Sequence, residues 1–447
     1  MTTVAELSSH LQTLFTSVAN DLARRSGFVQ RTSKLSGARF AQALVFGYLA
    51  NPNAALPELA QAAAAAGVSI SPQGLEQRCT EDAAIFLEQL VGTAMQTLIQ
   101  ADAVLIPLLA RFRAVVLLDA TTIVLPDALG QWWPGCGGSS ETNTSAALKV
   151  HVGYDLLAGG LRGLVLTDGR THESTTPLQS APVPAGALRV SDLGFFDLDV
   201  FAQLSAQDAY FLSRLKHGTG LFDLAGRRLD LHRVLRGALL VDWQVQLGVQ
   251  QHLRARLLAV RVPPAVAAQR RRHLRTQAAN HGRTPTAESL ALADWTLLIT
   301  NAPTDLLSLQ EALVLLRARW QVELLFKLWK QHGRLDESRS RKPWRVLTEV
   351  FAKLLGLVVQ HWVVLTGCWH RPDRSLVKAA KTLRAHALHL LCALRAARSL
   401  QRALTTIHRC LRAGCRLNPR KRHPNTYQLL LDPTRQPLLD RAVLSLG

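Results

Sequence analysis

Three acidic residues lie in or beside apolar segments, where a carboxylate needs a hydrogen-bond donor or a cation as partner. Asp119 follows the apolar run AVVLL, Asp192 ends RVSD at a turn, and Glu323 lies in the largely apolar segment RARWQVELLFKLWKQ. A carboxylate in a buried strand is costly unless it is hydrogen-bonded or binds a cation. Asp119 alone could be structural, bonded to a neighbouring loop. Together the three acids suit two Mg²⁺ ions, which prefer oxygen ligands and act on phosphodiester or polyphosphate substrates.

The predicted helix that contains Glu323 carries two cations on the same face. At about 100° per residue, Arg319, Glu323 and Lys330 fall within about 40° of one another. The plain interpretation is an i,i+4 salt bridge, which contributes about 0.3–0.5 kcal/mol. The sharper interpretation is a metal ligand flanked by two side chains that grip phosphates.

The charge of the chain indicates a polyanionic partner. Its 447 residues allow two to four domains, and 48% hydrophobic residues exclude a disordered protein. Lys+Arg number 52 against 32 Asp+Glu, a net charge of +20. A GC-rich genome would explain the excess of Arg over Lys but not this net charge. The charge argues against an acidic cytosolic metabolic enzyme, and we expect a nucleic acid as the partner.

The first 110 residues are predicted to be helical throughout, because their apolar residues recur at spacings of three and four. Within them an Ala-rich helix runs from Pro57 to Gly67, and a turn follows. Ser71 then offers an N-cap with Pro72 at the first helical position. This is a helix-turn-helix pattern, which suits either the major groove of DNA or ordinary helix packing.

Beyond residue 110 the pattern changes to strands. The predicted elements are a meander of strands at 114–125, 147–157 and 160–169, a fourth strand at 186–196, an alternating block with a basic helix at 209–290, a fifth strand at 294–303 and a long helix at 307–331. This order is that of a ribonuclease H-like fold. Residues 111–208 and 291–340 would form this α/β domain, with 209–290 as a β-rich insertion.

Residues 341–447 are predicted to be helical and basic. Arg402, Arg409 and Arg412 belong to a series of arginines that recurs at helical spacing, which favours phosphate contact over a merely solvated face. The apolar stretch Phe351–Cys368 is interrupted by Lys353, so it predicts a buried helix rather than a membrane span. With no signal peptide recognised at the N-terminus, we expect a soluble, intracellular protein with no membrane partner.

Three of these segments resemble the DDE transposases of bacterial insertion sequences, specifically the insertion sequence 4 family. LDATTIVLP resembles the first-Asp segment of that family, VSDLGFFDLDVF the second-Asp segment, and RARWQVELLFKLWKQH the third-acid helix. Arg319, Glu323 and Lys330 fit the family's spacing, whereas Leu316 occupies the position of its Tyr. The resemblance extends over roughly residues 20 to 370 and includes an N-terminal segment similar to the family's DNA-binding region.

The resemblance implies an α/β fold, a ribonuclease H-like mixed sheet with a β-rich insertion, flanked by N- and C-terminal helical regions. It implies that Asp119, Asp192 and Glu323 are catalytic and hold Mg²⁺, with Mn²⁺ as its substitute. Arg319 and Lys330 would then grip phosphates beside the scissile bond.

The family's action implies further partners. They are double-stranded DNA, as terminal inverted repeats and target DNA, and a second copy of the chain in a synaptic complex. The helical region 1–110 would bind DNA, and the region 341–447 would serve DNA contact or dimerisation. The protein would act in the bacterial cytoplasm, at the nucleoid.

Leu316 leaves a function without catalysis open, and a nuclease on the same fold is a third hypothesis. In the family the Tyr contacts DNA and assists a hairpin intermediate, and Leu can neither donate a hydrogen bond nor stack well on a base. The alternatives are a DNA-binding protein without catalysis, such as a repressor or a decayed transposase, and a structure-specific nuclease. Trp132 and Trp133, on a Gly-rich loop, could supply a stacking surface, whereas Trp320 and Trp329 are expected to pack in the core.

Overall fold

The structure is a computed structural model, which describes residues 2–31, 34–97, 99–136, 145–280 and 282–438. The chain divides into two compact units. Unit 1 consists of Met1–Leu105, Ala120–Thr171 and Gln321–Asn418. Unit 2 consists of Ile106–Asp119, His172–Trp320 and Pro419–Gly447.

Helices occur along the whole described chain, as these bounds show. They are α1 Val4–Thr13, α2 Ala19–Arg25, α3 Gly37–Ala50, α4 Leu56–Ala65, α5 Pro72–Gln77, α6 Glu81–Gln96, α7 Pro107–Ala110, α8 Leu198–Ala206, α9 Leu231–Leu235, α10 Pro264–Asn280, α11 Ala287–Leu292, α12 Leu309–Ala318, α13 Trp320–Lys327, α14 Pro343–Cys368, α15 Leu376–Ala393, α16 Ala397–Gly414 and α17 Thr426–Leu431. Two π-helical turns, Leu14–Val18 and Leu328–His332, follow α1 and α13.

The described strands form a mixed sheet. They are β1 Val115–Val124, β2 Ala147–Asp155, β3 Leu161–Asp168, β4 Leu188–Ser191, β5 Tyr210–Arg214, β6 Leu221–Phe222, β7 Leu240–Leu247, β8 Leu253–Arg261 and β9 Trp295–Thr300. Their order is β3-β2-β1-β4-β5-β9-β8-β7-β6, and β1 belongs partly to each unit. β4 is parallel to β1 and to β5, whereas β2–β3 and the pairs from β5 through β9 to β6 are antiparallel.

The fifth strand of the sheet differs from the predicted one. Tyr210–Arg214, which the sequence interpretation placed in the inserted block, pairs parallel with β4. Trp295–Thr300, the predicted fifth strand, pairs antiparallel with β5 and β8. The alternating pattern identifies each segment as a strand, but it does not show which strand lies beside it. The alternating block therefore extends the sheet.

The longest helix of unit 1 is a core helix. Every residue of α14 from Val346 to Cys368 is buried, including Lys353, Gln360 and His361. Its length and composition would suffice to cross a membrane, but its apolar window is 100% buried inside the protein. This agrees with the interpretation of Phe351–Cys368 as a buried helix.

The long helix predicted over residues 307–331 is found as α12, α13 and the π-helical turn that follows. It begins with a capping box, in which the Ser308 hydroxyl and the Glu311 carboxylate each accept a backbone N–H. Arg111 forms an ion pair with Glu311 at 2.9 Å. Arg319 is the C-cap residue of α12, immediately before α13 begins at Trp320.

Candidate active site

In unit 2, the parallel pairing of β1 and β4 places two of the predicted acids opposite each other. The register of β1 and β4 runs from Val115 opposite Leu188 to Leu117 opposite Val190. Continued by two residues, it places Asp119 opposite Asp192. Asp119 lies within β1, and Asp192 comes directly after the buried strand β4. Because side chains alternate along a strand, residues at equivalent register positions share a face of the sheet.

One guanidinium faces both carboxylates. In Arg319, Nη1 lies 3.7 Å from Oδ2 of Asp119, and Nη2 lies 3.7 Å from Oδ2 of Asp192. These separations are ion pairs rather than close hydrogen bonds. The Arg319 and Asp119 side chains are 16% and 17% exposed, so little water screens the interaction, whereas Asp192 is 40% exposed. The two carboxylates therefore converge on one cation at a site that solvent reaches from the Asp192 side.

The Asp192 carboxylate does not cap the turn that follows β4. Asp192 is the N-cap residue of the 3₁₀ turn Leu193–Phe195, but its side chain makes no capping hydrogen bond. The N-cap position ordinarily uses an Asp side chain in this way. At Asp192 the carboxylate instead forms the ion pair with Arg319.

Glu323 and Lys330 belong to unit 1. Glu323 is half-buried in α13, and Lys330 lies in the π-helical turn that follows it. The Lys330 ammonium donates a 2.8 Å hydrogen bond to the carbonyl oxygen of Thr122 in β1. An ammonium has three donors, and this bond uses one of them. Single π-helical turns are frequent at functional sites.

The grouped acids offer oxygen donors, which are the ligands that Mg²⁺ and Mn²⁺ prefer. In the part of the chain that the structure describes, no three His, Cys, Asp or Glu side chains form a group that could hold a metal ion. The acids that share the guanidinium of Arg319 are Asp119 and Asp192, and the positive charge between them has the sign that a metal ion would supply.

The exposure of the tryptophans differs in part from the prediction. Trp329 is buried, as expected of a core residue, but Trp320 is 44% exposed, so its predicted core packing is wrong. In unit 1 the rings of Trp132 and Trp344 meet edge to face at 4.8 Å, and Trp132 remains 45% exposed. Trp132 thus presents aromatic surface to solvent.

Helix α16 has one buried apolar face and one exposed basic face. Leu404 and Ile407 are buried, whereas Arg402, Arg409 and Arg412 are exposed. The Arg412 Nε donates to the carbonyl of Gly367 at 3.4 Å, and Arg409 donates to the hydroxyl of Thr406 at 3.2 Å. Other arginines of the same series have partners: Arg395 donates to the carbonyl of Ala65, and Arg416 forms an ion pair with Asp373.

Unit 2 also contains a basic groove that the sequence interpretation missed. Its volume is about 1190 Å³, and Leu193, the neighbour of Asp192, lies in its wall. Arg214 and Arg270 are among the cations that line it, and burial and the charge of Arg214 lower the pKa of Arg270. Helix α10 contributes Arg272 to the lining and has no acidic residue along its length. The basic run at 270–275 was the available signal, but it did not reveal the facing strands.

The helix-turn-helix segment has the predicted caps. Ser71 begins α5 and accepts a hydrogen bond from the Gly74 N–H at 3.0 Å, with Pro72 at the first helical position. The second helix is short, six residues from Pro72 to Gln77. Its Glu76 forms ion pairs with Lys342 at 3.0 Å and Arg345 at 2.9 Å. These contacts tie α5 to the start of α14.

Asp155, the last residue of β2, is a buried acid. Its side chain is 1% exposed and forms an ion pair with Arg162 at 2.9 Å. It also accepts from the backbone N–H groups of Leu157 and Ala158. A strand-end position does not reveal burial, because burial depends on what packs over the strand. Asp155 is thus a structural acid of the turn after β2.

Known proteins similar to this chain are transposases. The family model described as "Transposase DDE domain" matches residues 110–359, more than half of the chain. The transposase for insertion sequence element IS231F of Bacillus thuringiensis subsp. israelensis is 26% identical over 360 residues, 75% of each chain. The IS231B transposase of subsp. berliner is 26% identical over 377 residues, 79% of this chain and 78% of its own.

A second group of relatives is shorter in coverage but more similar in sequence. The putative transposase InsL for insertion sequence element IS186A of Escherichia coli (strain K12) is 31% identical over 252 residues. The match covers 54% of this chain and 63% of that protein.

Proposed function

Because this chain belongs to the DDE transposase family, it is an enzyme that cleaves DNA and transfers strands, and we propose that Asp119, Asp192 and Glu323 are its catalytic acids. The observation that carries the proposal is the pair of ion contacts from Arg319 to Asp119 and Asp192, both at 3.7 Å. Two carboxylates level on parallel strands, with a cation against both, form the kind of acidic centre on which phosphoryl transfer depends. Glu323 is included through its match to the family's third-acid helix.

The catalytic core is a ribonuclease H-like fold in this proposal. Its support is the strand order β3-β2-β1-β4-β5, with β1 parallel to β4 and β4 parallel to β5. The strands β6 to β8 lie within the proposed β-rich insertion, residues 209–290, and β9 joins them to β5 in the sheet. Residues 1–110 and 341–447 are the helical DNA-binding and basic terminal regions of the same proposal.

The family depends on a divalent metal, and the proposed ligands are Asp119, Asp192 and Glu323, with Mg²⁺ as the ion and Mn²⁺ as its substitute. Carboxylate oxygens fit these hard cations. When bound, such ions activate a water or 3′-hydroxyl as nucleophile and stabilise the leaving oxygen. Arg319 holds the two aspartates toward one point, and its guanidinium supplies a fixed positive charge beside the reacting phosphate.

Lys330 and the basic surfaces hold the DNA in place. Lys330, fixed by its bond to the Thr122 carbonyl, contacts a phosphate beside the cut. The exposed face of α16, with Arg402, Arg409 and Arg412, and the groove of unit 2 contact phosphates farther away. The DNA is double-stranded, as terminal inverted repeats and target, and two copies of the chain join the two ends in a synaptic complex. The protein acts in the bacterial cytoplasm, at the nucleoid.

Cleavage of a labelled duplex that carries the element's terminal repeat tests the acids. With Mg²⁺ or Mn²⁺ the wild type nicks the duplex, and EDTA prevents it. Glu323→Gln abolishes nicking while the affinity for the duplex stays near that of the wild type. Glu337→Gln, whose exposed carboxylate pairs with Arg334, serves as the matched control and cleaves normally. Normal nicking by Glu323→Gln would remove Glu323 from the site, and parallel loss of binding would make its role structural.

The α16 face is tested by salt dependence. Substitution of Arg402, Arg409 and Arg412 by Gln weakens DNA binding. The slope of log K against log salt becomes shallower by an amount that corresponds to the loss of about three phosphate contacts. Arg416→Gln removes a charge already paired with Asp373, so its slope stays near that of the wild type. Fluorescence anisotropy at several salt concentrations measures both. An unchanged slope in the triple variant would place this face in solvent.

A further inference from the structure

The backbone on both sides of Asp192 is tied to one buried glutamine. Gln179 is 3% exposed, and its Nε2 donates a 3.0 Å hydrogen bond to the carbonyl oxygen of Phe195, three residues after Asp192. Arg189, three residues before Asp192, donates through Nη1 to the Gln179 carbonyl at 2.6 Å and through Nη2 to its Oε1. A single amide therefore connects strand β4 to the turn that follows the acid.

Burying Arg189 in the core costs free energy, which an apolar side chain at the same position would not. It is 1% exposed within the fully buried strand β4, and its guanidinium meets the neutral Gln179. Among the described residues, its Nε has no hydrogen-bond partner. Burial lowers the pKa of Arg189 to about 10, so the side chain stays charged at neutral pH. Well-packed apolar residues often stabilise a core at least as well as a buried charge does.

The same loop also lies close beside the turn. The Glu173 carboxylate packs against Gly194, where a Cβ atom would collide with it. Phe195, 1% exposed, places its ring in the core with Val116 and Leu118 of β1. The turn that begins at Asp192 is therefore fixed by its own phenylalanine beneath it and by the 173–179 loop beside it.

We propose that Gln179, held by Arg189, is a positioning residue that fixes the Asp192 carboxylate for metal binding. This inference rests on the proposed role of Asp192. Gln179 acts through the Phe195 carbonyl and the turn, and it does not touch the substrate. Groups that orient metal ligands in this way typically change metal affinity 10- to 100-fold when they are substituted.

Unit 1 contains a chemically matched arrangement with none of the proposed acids in it. Gln42, also 3% exposed, accepts from Nη1 of Arg39 at 3.1 Å and donates from Nε2 to the carbonyl of Phe15 at 2.8 Å. It joins helix α3 to the π-helical turn after α1. The same substitution at Gln42 therefore repeats the loss of a buried amide donor within a purely helical setting.

The decisive variant is Gln179→Glu in the full-length protein. Glutamate keeps acceptor oxygens for Arg189 but cannot donate to the Phe195 carbonyl, so the loop stays attached while the turn is released. Mn²⁺ binding to the protein is measured by electron paramagnetic resonance, beside thermal unfolding and nicking of the terminal-repeat duplex. Gln179→Met, which removes donor and acceptor alike, is the second variant if Gln179→Glu folds poorly. Gln42→Glu and Asp192→Asn are the references.

We expect Gln179→Glu to raise the Mn²⁺ dissociation constant, and the Mn²⁺ concentration for half-maximal nicking, at least about tenfold. Its unfolding temperature stays close to that of Gln42→Glu, whose Mn²⁺ binding matches the wild type. Wild-type Mn²⁺ binding and nicking by both Gln179 variants, with both lost in Asp192→Asn, would overturn the inference alone. Wild-type Mn²⁺ binding and nicking by Asp192→Asn would overturn the proposed function and the inference with it.

Discussion

The two compact units differ in whether they bury histidine. Unit 1 buries His151, His361 and His408 beside the charged Asp155, Glu349 and Lys353, and burial lowers the pKa of each of the three histidines to about 4. Among the described residues of unit 2, the charged side chains that are buried are Arg189 and Arg256. A histidine can meet burial by losing its proton, whereas an arginine keeps its charge and needs acceptors. Stability should therefore respond to acid in unit 1 and to loss of hydrogen-bond partners in unit 2.

Lowering the pH should produce the largest difference in stability between the two units. Each buried histidine has a folded-state pKa below its unfolded value, so its contribution is complete above about pH 6.5 and falls as the pH drops toward 4. Between pH 6.5 and 5 the loss is about 1.6 kcal/mol per histidine, or about 5 kcal/mol for all three. Hydrogen exchange, corrected for intrinsic rates, should show α14 and β2 losing protection at pH 5 before β4 and β8. Equal loss of protection in all four elements would contradict the proposed difference in acid sensitivity between the units.

Arg256→Met should give the next largest effect. Arg256 forms an ion pair with Asp242 at 2.5 Å and donates to the carbonyls of Ala302 and Leu307, just before α12 begins. The substitution leaves these acceptors without their donor and should lower the free energy of unfolding by about 3–5 kcal/mol. Urea denaturation measures it, with the exposed Arg254→Met on the same strand as control. A loss no larger than that of the control would refute the role of Arg256.

His361→Gln should remove part of the acid response. Glutamine can still donate to the Gly159 carbonyl, which His361 contacts at 2.7 Å, but it does not titrate. Between pH 6.5 and 5 the variant should lose about 1.6 kcal/mol less stability than the wild type. Urea denaturation at both pH values measures this, beside the exposed His273→Gln of unit 2. An unchanged pH dependence would mean that His361 is not a source of the acid sensitivity.

Arg189→Met should change stability least. Its partner Gln179 is neutral, so the substitution leaves no buried counter-charge. It leaves two Gln179 oxygens without a donor, but it also removes the cost of burying the guanidinium, so the free energy of unfolding should change by less than about 2 kcal/mol. Nicking activity should nevertheless fall, because Gln179 loses its anchor. Urea denaturation and the nicking assay, read together with Arg256→Met, separate a residue kept for stability from one kept for position. A large loss of stability without loss of nicking would reverse this assignment.

Local sequence patterns predicted many of the secondary-structure elements. The alternating runs at 114–125 and 147–157 became β1 and β2, and the caps at Ser71 and Pro72 began α5 as predicted. These features depend on residues close in sequence, so the chain encodes them locally. The neighbour of β4 was misplaced because strand pairing joins segments far apart in sequence, and β5 and β9 have similar apolar patterns.

The sequence by itself determined the candidate chemistry: Asp119, Asp192, Glu323, Arg319 and Lys330 are identifiable from residue type, spacing and family resemblance. The tertiary structure decided how they are used. Parallel register makes Asp119 and Asp192 level, and packing places Arg319 against both. The link from Arg189 through Gln179 to Phe195 has no sequence signature, since a buried amide and an exposed one are the same letter. Only the folded chain sets which donors meet which acceptors, because those contacts form between segments that local propensity leaves independent.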